Sequence, residues 1–151
     1  MSESERFFHV GYAVPDLEAA MAELTATLGL RWQVPLSRAV GGLRWRVTFS
    51  LEGPTYVEMI EGGPGTPWEV GSAPLLHHVG RFTTDLGAEL AKVVAAGGEV
   101  ETDGRRFSGQ WAYVRMPRSG ARLELIEAAD GGRLRLQRLG EGRDQMVPEP
   151  E

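Results

Sequence analysis

Residues 9–19 read HVGYAVPDLEA and residues 78–88 read HVGRFTTDLGA, and the overlay of these two stretches decides the fold. At a single offset of 69 residues, from His9 to His78, their His, Val, Gly, Asp, Leu and Ala coincide. A second block repeats further on, where residues 45–61 lie over 111–127 without a gap at an offset of 66. Within it Trp45/Trp111, Glu58/Glu124, Ile60/Ile126 and Glu61/Glu127 are identical pairs. Two blocks in the same order at nearly equal offsets mark an internal duplication, and a duplication sets the architecture before any single residue is read.

Each copy carries the same signals. Phe8, Val10, Tyr12 and Val14 alternate with His9, Gly11 and Ala13, the pattern of a half-buried strand whose large apolar side chains meet a helix. Asp16 follows as an N-cap, because its carboxylate can accept from the free amides of a helix start. Leu17, Ala20, Met21, Leu24 and Leu28 then recur at helical spacing, and Gly29 is the stop. In the second copy Asp85 is the cap, Leu86, Leu90, Val93 and Val94 the stripe, and Gly97 with Gly98 the end. After each helix the pattern predicts a short extended stretch (about 32–36 and 99–102) and a longer hairpin (about 43–61 and 109–128). Turn residues at 52–55 and 117–120 supply the hairpin loops. The expectation is an α+β chain of two tandem βαβββ modules, 7–62 and 76–128, forming a single domain over 1–151. A Gly- and Pro-rich linker spans 63–75, and the tail over 129–151 has a helical turn or two around Leu134 to Leu139, with disorder expected from Gly140 to Glu151.

The bulk numbers narrow the function classes. The chain has 151 residues, 42% of them hydrophobic and 25% charged, which suits a globular domain with its own core. No apolar run approaches the roughly 18–20 residues that cross a bilayer, and the first residues lack a secretory pattern, so a cytoplasmic location without membrane partners is expected. The net charge of −5 argues against a nucleic-acid partner. With no cysteine there is no thiolate chemistry, and any metal must sit on imidazole and carboxylate.

The duplication also selects the candidate chemistry. His9 shares its strand face with Gly11 and Ala13, small neighbours that leave room for a ligand. A lone strand histidine is more often a packed residue, but His9 and His78 occupy equivalent positions. Glu58 and Glu124 each stand amid strand residues that should be buried, where a carboxylate needs a partner. An arginine could serve, yet two histidines and two acids at repeated positions are better explained by a cation between the modules. That donor set suits Ni²⁺, Co²⁺, Fe²⁺, Mn²⁺ or Zn²⁺. His77 should point to the opposite face as a structural residue, and Glu61 and Glu127, of opposite parity to Glu58 and Glu124, should be exposed. If both hairpin loops are even in length, Trp45, Val47 and Phe49 share the face of Glu58, and Trp111, Tyr113 and Arg115 that of Glu124. Trp45, Phe49, Trp111, Tyr113 and Arg115 are therefore the candidate small-molecule-binding residues, though the tryptophans would serve equally as core.

The motifs HVG at 9–11 followed by PDL at 15–17, VEMIE at 57–61, HHVG at 77–80 and LELIE at 123–127 resemble the vicinal oxygen chelate superfamily. Its members include glyoxalase I, methylmalonyl-CoA epimerase, extradiol dioxygenases and bleomycin-resistance proteins. The segment PGTPW at 64–68 before LHHVG is most similar to the glyoxalase-like branch near methylmalonyl-CoA epimerase. The resemblance implies one eight-stranded, open, barrel-like curved sheet with helices outside, and metal ligation by His9, Glu58, His78 and Glu124. The His/Glu/His/Glu order is similar to glyoxalase I, whereas the epimerases usually carry Gln in place of Glu58. It further implies a homodimer and a lyase or isomerase acting on a small carbonyl or thioester substrate through an enolate, with Glu124 and Glu58 as catalytic groups. A non-catalytic small-molecule-binding or antibiotic-resistance protein and an Fe(II) dioxygenase are the alternatives.

Overall fold

The computed structural model describes residues 5–142, so most of the segment expected to be disordered lies outside the described residues. Each module runs βαβββ. The first comprises β1 (His9–Ala13), α1 (Leu17–Leu28), β2 (Leu36–Val40), β3 (Leu43–Phe49) and β4 (Tyr56–Gly62). The second comprises β5 (Leu75–Thr83), α2 (Leu86–Ala95), β6 (Glu99–Asp103), β7 (Trp111–Arg115) and β8 (Arg122–Glu127), and α3 (Arg133–Gly140) follows. The strands form one curled half-barrel in the order β2-β3-β4-β1-β5-β8-β7-β6. In each module the first strand pairs parallel with the last, and the modules join edge to edge through antiparallel β1–β5. This seam lies at the centre of the sheet and brings His9 and His78 together within one chain.

Paired acids fix each strand to its helix. Asp16 accepts from the amide of Ala19 and Asp85 from that of Ala88, as N-caps should. The identical pair Glu61 and Glu127 adds a second cap that strand parity alone did not reveal. Glu61 Oε2 accepts from the Leu17 amide at 2.8 Å and Glu127 Oε2 from the Leu86 amide at 2.9 Å. Each last strand thus holds the start of its own module's helix, where amides lack intrahelical partners. Glu127 is exposed as expected, and Glu61 is half-buried.

The helices cover the convex face. Leu17, Ala20, Met21 and Leu24 pack with Tyr12, Val14 and Met59, and Leu86, Leu90 and Val93 with Ala112, Val114 and Leu125. Leu28 and Val94, expected in these stripes, are exposed at the last helical turns. Phe8 also departs from expectation, because it lies just before β1 and turns to the concave side, where its ring stacks on Phe82. The extended stretch predicted over 32–36 is displaced to β2 at 36–40. Gly41 (φ 56°) and Gly42 (φ 82°) give the left-handed two-residue turn that suits a tight β2–β3 hairpin, a signal the pattern reading passed over. Beyond the repeat, α3 folds back onto the concave side and buries Leu139 fully. Asp130 starts it by accepting from the amides of Gly132 and Leu134. Among the described residues no helix is long and apolar enough to cross a membrane.

Candidate metal centre

The central seam explains why the duplicated motif is His-Val-Gly. In the β1–β5 register His9 faces Gly80 and Gly11 faces His78. A Cβ on Gly80 would stand 2.0 Å from the His9 ring, and one on Gly11 would stand 2.2 Å from the His78 ring. Each module's glycine is therefore the seat of the other module's histidine. The room expected for a ligand beside each histidine is taken by the opposing strand, and the rings are driven together with Nε2 atoms 2.9 Å apart.

Glu58 and Glu124 enter from the flanking strands β4 and β8, both parallel neighbours of the histidine strands. Glu124 Oε2 lies 2.9 Å from His9 Nε2 and 3.2 Å from His78 Nε2. Glu58 Oε1 lies 3.1 Å from His78 Nε2 and 3.9 Å from His9 Nε2. All four residues are buried, with one ligand atom from each inside a 4.8 Å sphere of mutual distances. Among the described residues Glu58 Oε1 and Glu124 Oε2 meet these imidazoles and have no other donor. Two buried carboxylate oxygens converging on two imidazole nitrogens, with no other donor beside them, are costly unless a proton or a metal cation among them neutralises the charge. Metal bonds of about 2.1 Å put neighbouring ligand atoms about 3 Å apart in an octahedral shell, so the donors fit a divalent ion. His9, Glu58, His78 and Glu124 are the residues that would hold it.

The charges at this centre are strongly interdependent. Burial works against a charged His78, but Glu124 and Glu58 outweigh it and push the imidazole up to about 9. Burial likewise opposes the Glu124 carboxylate, and His78 with His9 overcomes it, holding the carboxyl well below its usual range. Tyr113 is pushed well above its usual value by burial and by the two carboxylates.

Glu58 and Glu124 of this centre line a cavity of about 610 Å³, together with Trp45, Trp68, Trp111 and Tyr113 among others. That volume is in the range of small-molecule sites. Both hairpins obey the even-loop rule, with Phe49 opposite Glu58 and Tyr113 opposite Glu124. Trp45, Trp111 and Tyr113 stand where the sequence placed them. Phe49 does not line the cavity; it packs edge-on against the His9 ring at 5.6 Å and serves as a wall behind the centre. Arg115 does not reach the cavity either. It sits opposite Arg122, and Glu101 binds both guanidiniums at 2.6 Å.

A family model described as the Glyoxalase/Bleomycin resistance protein/Dioxygenase superfamily matches residues 8–114. The chain belongs to that superfamily. No curated protein matches it. Among solved structures, a variant of Streptomyces coelicolor methylmalonyl-CoA epimerase in complex with 2-nitronate-propionyl-CoA is 22% identical, with TM-score 0.59, covering 82% of this chain and 97% of its own. Methylmalonyl-CoA epimerase from Mycobacterium tuberculosis is 20% identical, with TM-score 0.58 and coverages of 85% and 93%. A variant of 4-hydroxymandelate synthase from Streptomyces coelicolor, also 20% identical with TM-score 0.58, is covered over only 38% of its length against 83% of this chain. These likenesses show a shared fold.

Within this glyoxalase-superfamily chain His77, like Phe49 and Arg115, lies elsewhere than the sequence pattern expects, and the pattern leaves other cavity residues out. His77 is not on the opposite face. The β1–β5 register slips between Gly11/His78 and Tyr12/Leu76, so His77 is an extra, bulged residue and strand alternation fails there. It is buried beside the centre, with Nε2 3.0 Å from the Pro67 carbonyl and Nδ1 2.9 Å from His78 Nδ1. A carbonyl only accepts, so His77 Nε2 carries the hydrogen. Burial, with the charges of His78 and Arg122, pushes His77 down to about 3, so it is neutral and its Nδ1 accepts from His78 Nδ1–H. His78 is thereby oriented with Nε2 toward the cluster, as outer partners commonly orient metal-bound histidines. Trp68, from the linker, donates its indole N–H to the Tyr113 hydroxyl at 2.8 Å. The HH pair at 77–78 was the available signal for His77; nothing in the pattern pointed to the cavity residues Arg38, Arg135 and Arg138.

Proposed function

We propose that this protein is a divalent-metal-dependent enzyme of isomerase or lyase type, acting in the cytoplasm on a small carbonyl or thioester compound. The observation that supports this most strongly is the meeting of two buried carboxylate oxygens, with no other donor among the described residues, and two imidazole nitrogens beside a ligand-sized cavity. A divalent ion bound there supplies Lewis acidity toward a substrate oxygen. The chain's own residues supply the rest. His9 and His78 fix the centre, and the aromatic walls exclude water and orient an apolar body. Glu124, the cluster carboxylate that also lines the cavity beside Tyr113, is the base. It takes the proton from the carbon beside the carbonyl, and the bonding pair moves onto the carbonyl oxygen as an enolate. A proton then returns to carbon in an isomerisation, or a leaving group departs in a lyase reaction. In an isomerisation that inverts the carbon, Glu58 as a carboxylic acid would give its proton to the opposite face while Glu124 keeps the one it took, and the reverse reaction exchanges the two roles. All four ligands come from one chain, so the proposed homodimer would leave the site whole.

Elemental analysis of protein purified without added metal is the first test, with stoichiometric Ni, Co, Mn or Zn expected. Deuterium incorporation from D₂O into methylmalonyl-CoA, other acyl-CoA thioesters and the glutathione hemithioacetal of methylglyoxal then reports on the C–H step. Glu124→Gln should keep the metal and lose exchange about a hundredfold or more. Full exchange in that variant would remove Glu124 from the role. One observation favours a second reading, sequestration without catalysis as in antibiotic resistance: Trp45, Trp68, Phe107 and Trp111 wall the cavity. Tight binding of an aromatic compound by metal-free protein selects that reading, and bound iron with oxygen uptake selects an Fe(II) dioxygenase.

A further inference from the structure

We infer that Tyr113 is a catalytic hydrogen-bond donor: its hydroxyl, held by the Trp68 indole, is offered to the substrate oxygen on which negative charge develops. The inference rests on the reading of the cavity as a site of carbonyl or thioester chemistry, and names the group that meets that oxygen.

The hydroxyl stands out against the duplication. Tyr113 lies opposite Glu124 in the β7–β8 register, as Phe49 lies opposite Glu58 in β3–β4. Each ring packs on the histidine of its own module, Phe49 on His9 with centroids 5.6 Å apart and Tyr113 on His78 at 4.8 Å. A phenyl ring thus meets the packing need in the first module, and the second adds an oxygen at a buried position. Burying a hydroxyl costs free energy unless hydrogen bonds offset it.

The linker supplies one such bond. Trp68 Nε1 lies 2.8 Å from the Tyr113 hydroxyl, and an indole nitrogen only donates, so the phenol oxygen is the acceptor. The hydrogen of that hydroxyl is left over, because among the described residues no acceptor takes it. A phenol keeps this hydrogen near neutral pH, and a hydroxyl that accepts one hydrogen bond is the stronger donor of the next. Directly opposed residues on one sheet face have Cβ atoms about 4.5–5.5 Å apart, which sets the phenol beside Glu124. Both residues line the cavity. When Glu124 takes a proton from carbon, the bonding pair moves onto the carbonyl oxygen, and a donor fixed beforehand stabilises that oxygen more as its charge grows.

The linker is folded to hold this donor. Thr66 Oγ1 donates to the Gly63 carbonyl at 2.8 Å, and a Cβ on Gly62 would stand 2.6 Å from the Trp68 carbonyl carbon. Trp68 is buried, and Pro67 before it accepts from His77. One segment therefore sets the partners of both Tyr113 and the His77–His78 pair.

Infrared difference spectra of carbonyl-labelled 1-acetonaphthone, on metal-stripped and metal-loaded protein, test this. Tryptophan-fluorescence titrations compare the ketone with 1-ethylnaphthalene, which lacks the acceptor. The labelled carbonyl should vibrate at lower frequency in wild-type protein than in Tyr113→Phe. The preference for ketone over hydrocarbon should fall about tenfold in that variant, the size expected of one hydrogen bond. Trp68→Phe, which frees the phenol from its holder, should give an intermediate frequency. In metal-loaded protein, deuterium exchange by Tyr113→Phe should lose about a hundredfold in kcat with little change in KM. Removing the phenol alone strands the Trp68 N–H, so the double variant Tyr113→Phe/Trp68→Phe, which removes both partners, guards against a folding defect and should show the same loss. An unchanged frequency in Tyr113→Phe and the double variant overturns the inference, as does failure of the ketone to bind either form. Stoichiometric metal without the frequency shift removes the donor alone. A shift without bound metal removes the metal centre and leaves Tyr113 as the carbonyl-binding group.

Discussion

In the first module His9 follows Phe8, whose ring lies edge-on 4.3 Å from the imidazole, and among the described residues His9 Nδ1 has no hydrogen-bond partner. In the second module His78 follows His77, and its Nδ1 is held at 2.9 Å by the neighbouring ring. Position 8 and position 77 are equivalent in the repeat, so one substitution between Phe and His separates an apolar socket from a hydrogen-bonded one. The hairpins diverge in the same sense. Phe49 stands opposite Glu58, whereas the ungapped overlay would set Arg115 opposite Glu124 and the structure sets Tyr113 there. The second hairpin is thus slipped by two residues. An even slip keeps every side chain on its own face, so the ligand atoms stay matched while their surroundings change. Duplication has preserved the four donors and specialised their support, with a greasy side at His9 and Glu58 and a polar side at His78 and Glu124.

The strongest test asks whether the two halves are still equivalent where they touch. Gly11→Ala and Gly80→Ala each place a methyl group inside the opposing histidine ring. Both should abolish stoichiometric metal binding and lower stability by about 2–3 kcal/mol, the usual cost of forcing atoms into a packed core. Thermal unfolding and metal analysis would check this. If either variant bound metal as wild type does, the reciprocal seat would not be what positions the histidines.

How much of this was legible in the sequence depends on which kind of order is concerned. The repeat, the four donors, the two Asp caps and the inward face of both hairpins all follow from identity and periodicity, because they are set by local spacing. His77 could not be placed, since a bulge breaks alternation and leaves no periodic trace. Arg115 looked like a pocket residue only because the overlay hides a two-residue slip that preserves parity. The helical tail was visible around Leu134 to Leu139, but its docking over the concave face depends on tertiary burial of Leu139. Glu61 and Glu127 were assigned correctly to the other face, yet their capping role needs the strand and helix to meet in three dimensions.

Proton competition should next distinguish the halves. His78 in the folded protein is pushed to about 9, above its ordinary 6.5. Its contribution to stability in metal-free protein is therefore complete below pH 6.5 and lost as pH rises through about 9. The metal-free melting temperature should fall over that window. Metal binding must displace this proton, so metal affinity should rise with pH by about tenfold per unit until pH 9. Calorimetry in buffers of different ionisation enthalpy should register close to one proton released per ion near neutral pH. Affinity that is flat over this window would show that His78 is not the protonated member. A smaller effect is expected from making the halves alike. His77→Phe should weaken metal binding by about tenfold or more, as loss of an outer partner commonly does. His77→Gln, whose amide oxygen can accept from His78, should restore part of it. Chelator competition measures both, and equal losses in the two variants would reduce His77 to a packing residue.

Arg115 supplies the smallest expected effect and the sharpest check on the slipped hairpin. Its guanidinium is bound to Glu101 and to the Gly120 carbonyl, with the side chain 37% exposed, and the same carboxylate also holds Arg122. The two arginines together keep Glu101 below its ordinary range against a partial burial cost. Removing one leaves the other in place, so Arg115→Ala should cost no more than about 1 kcal/mol, the usual limit for an exposed pair. Metal affinity should not change, since the residue lies outside the cavity lining. A register that followed the ungapped overlay would instead put Arg115 beside Glu124, and the same substitution would then change metal affinity severalfold. Stability and binding therefore report on different registers, and a loss of binding at unchanged stability would place the second hairpin two residues from where the structure has it.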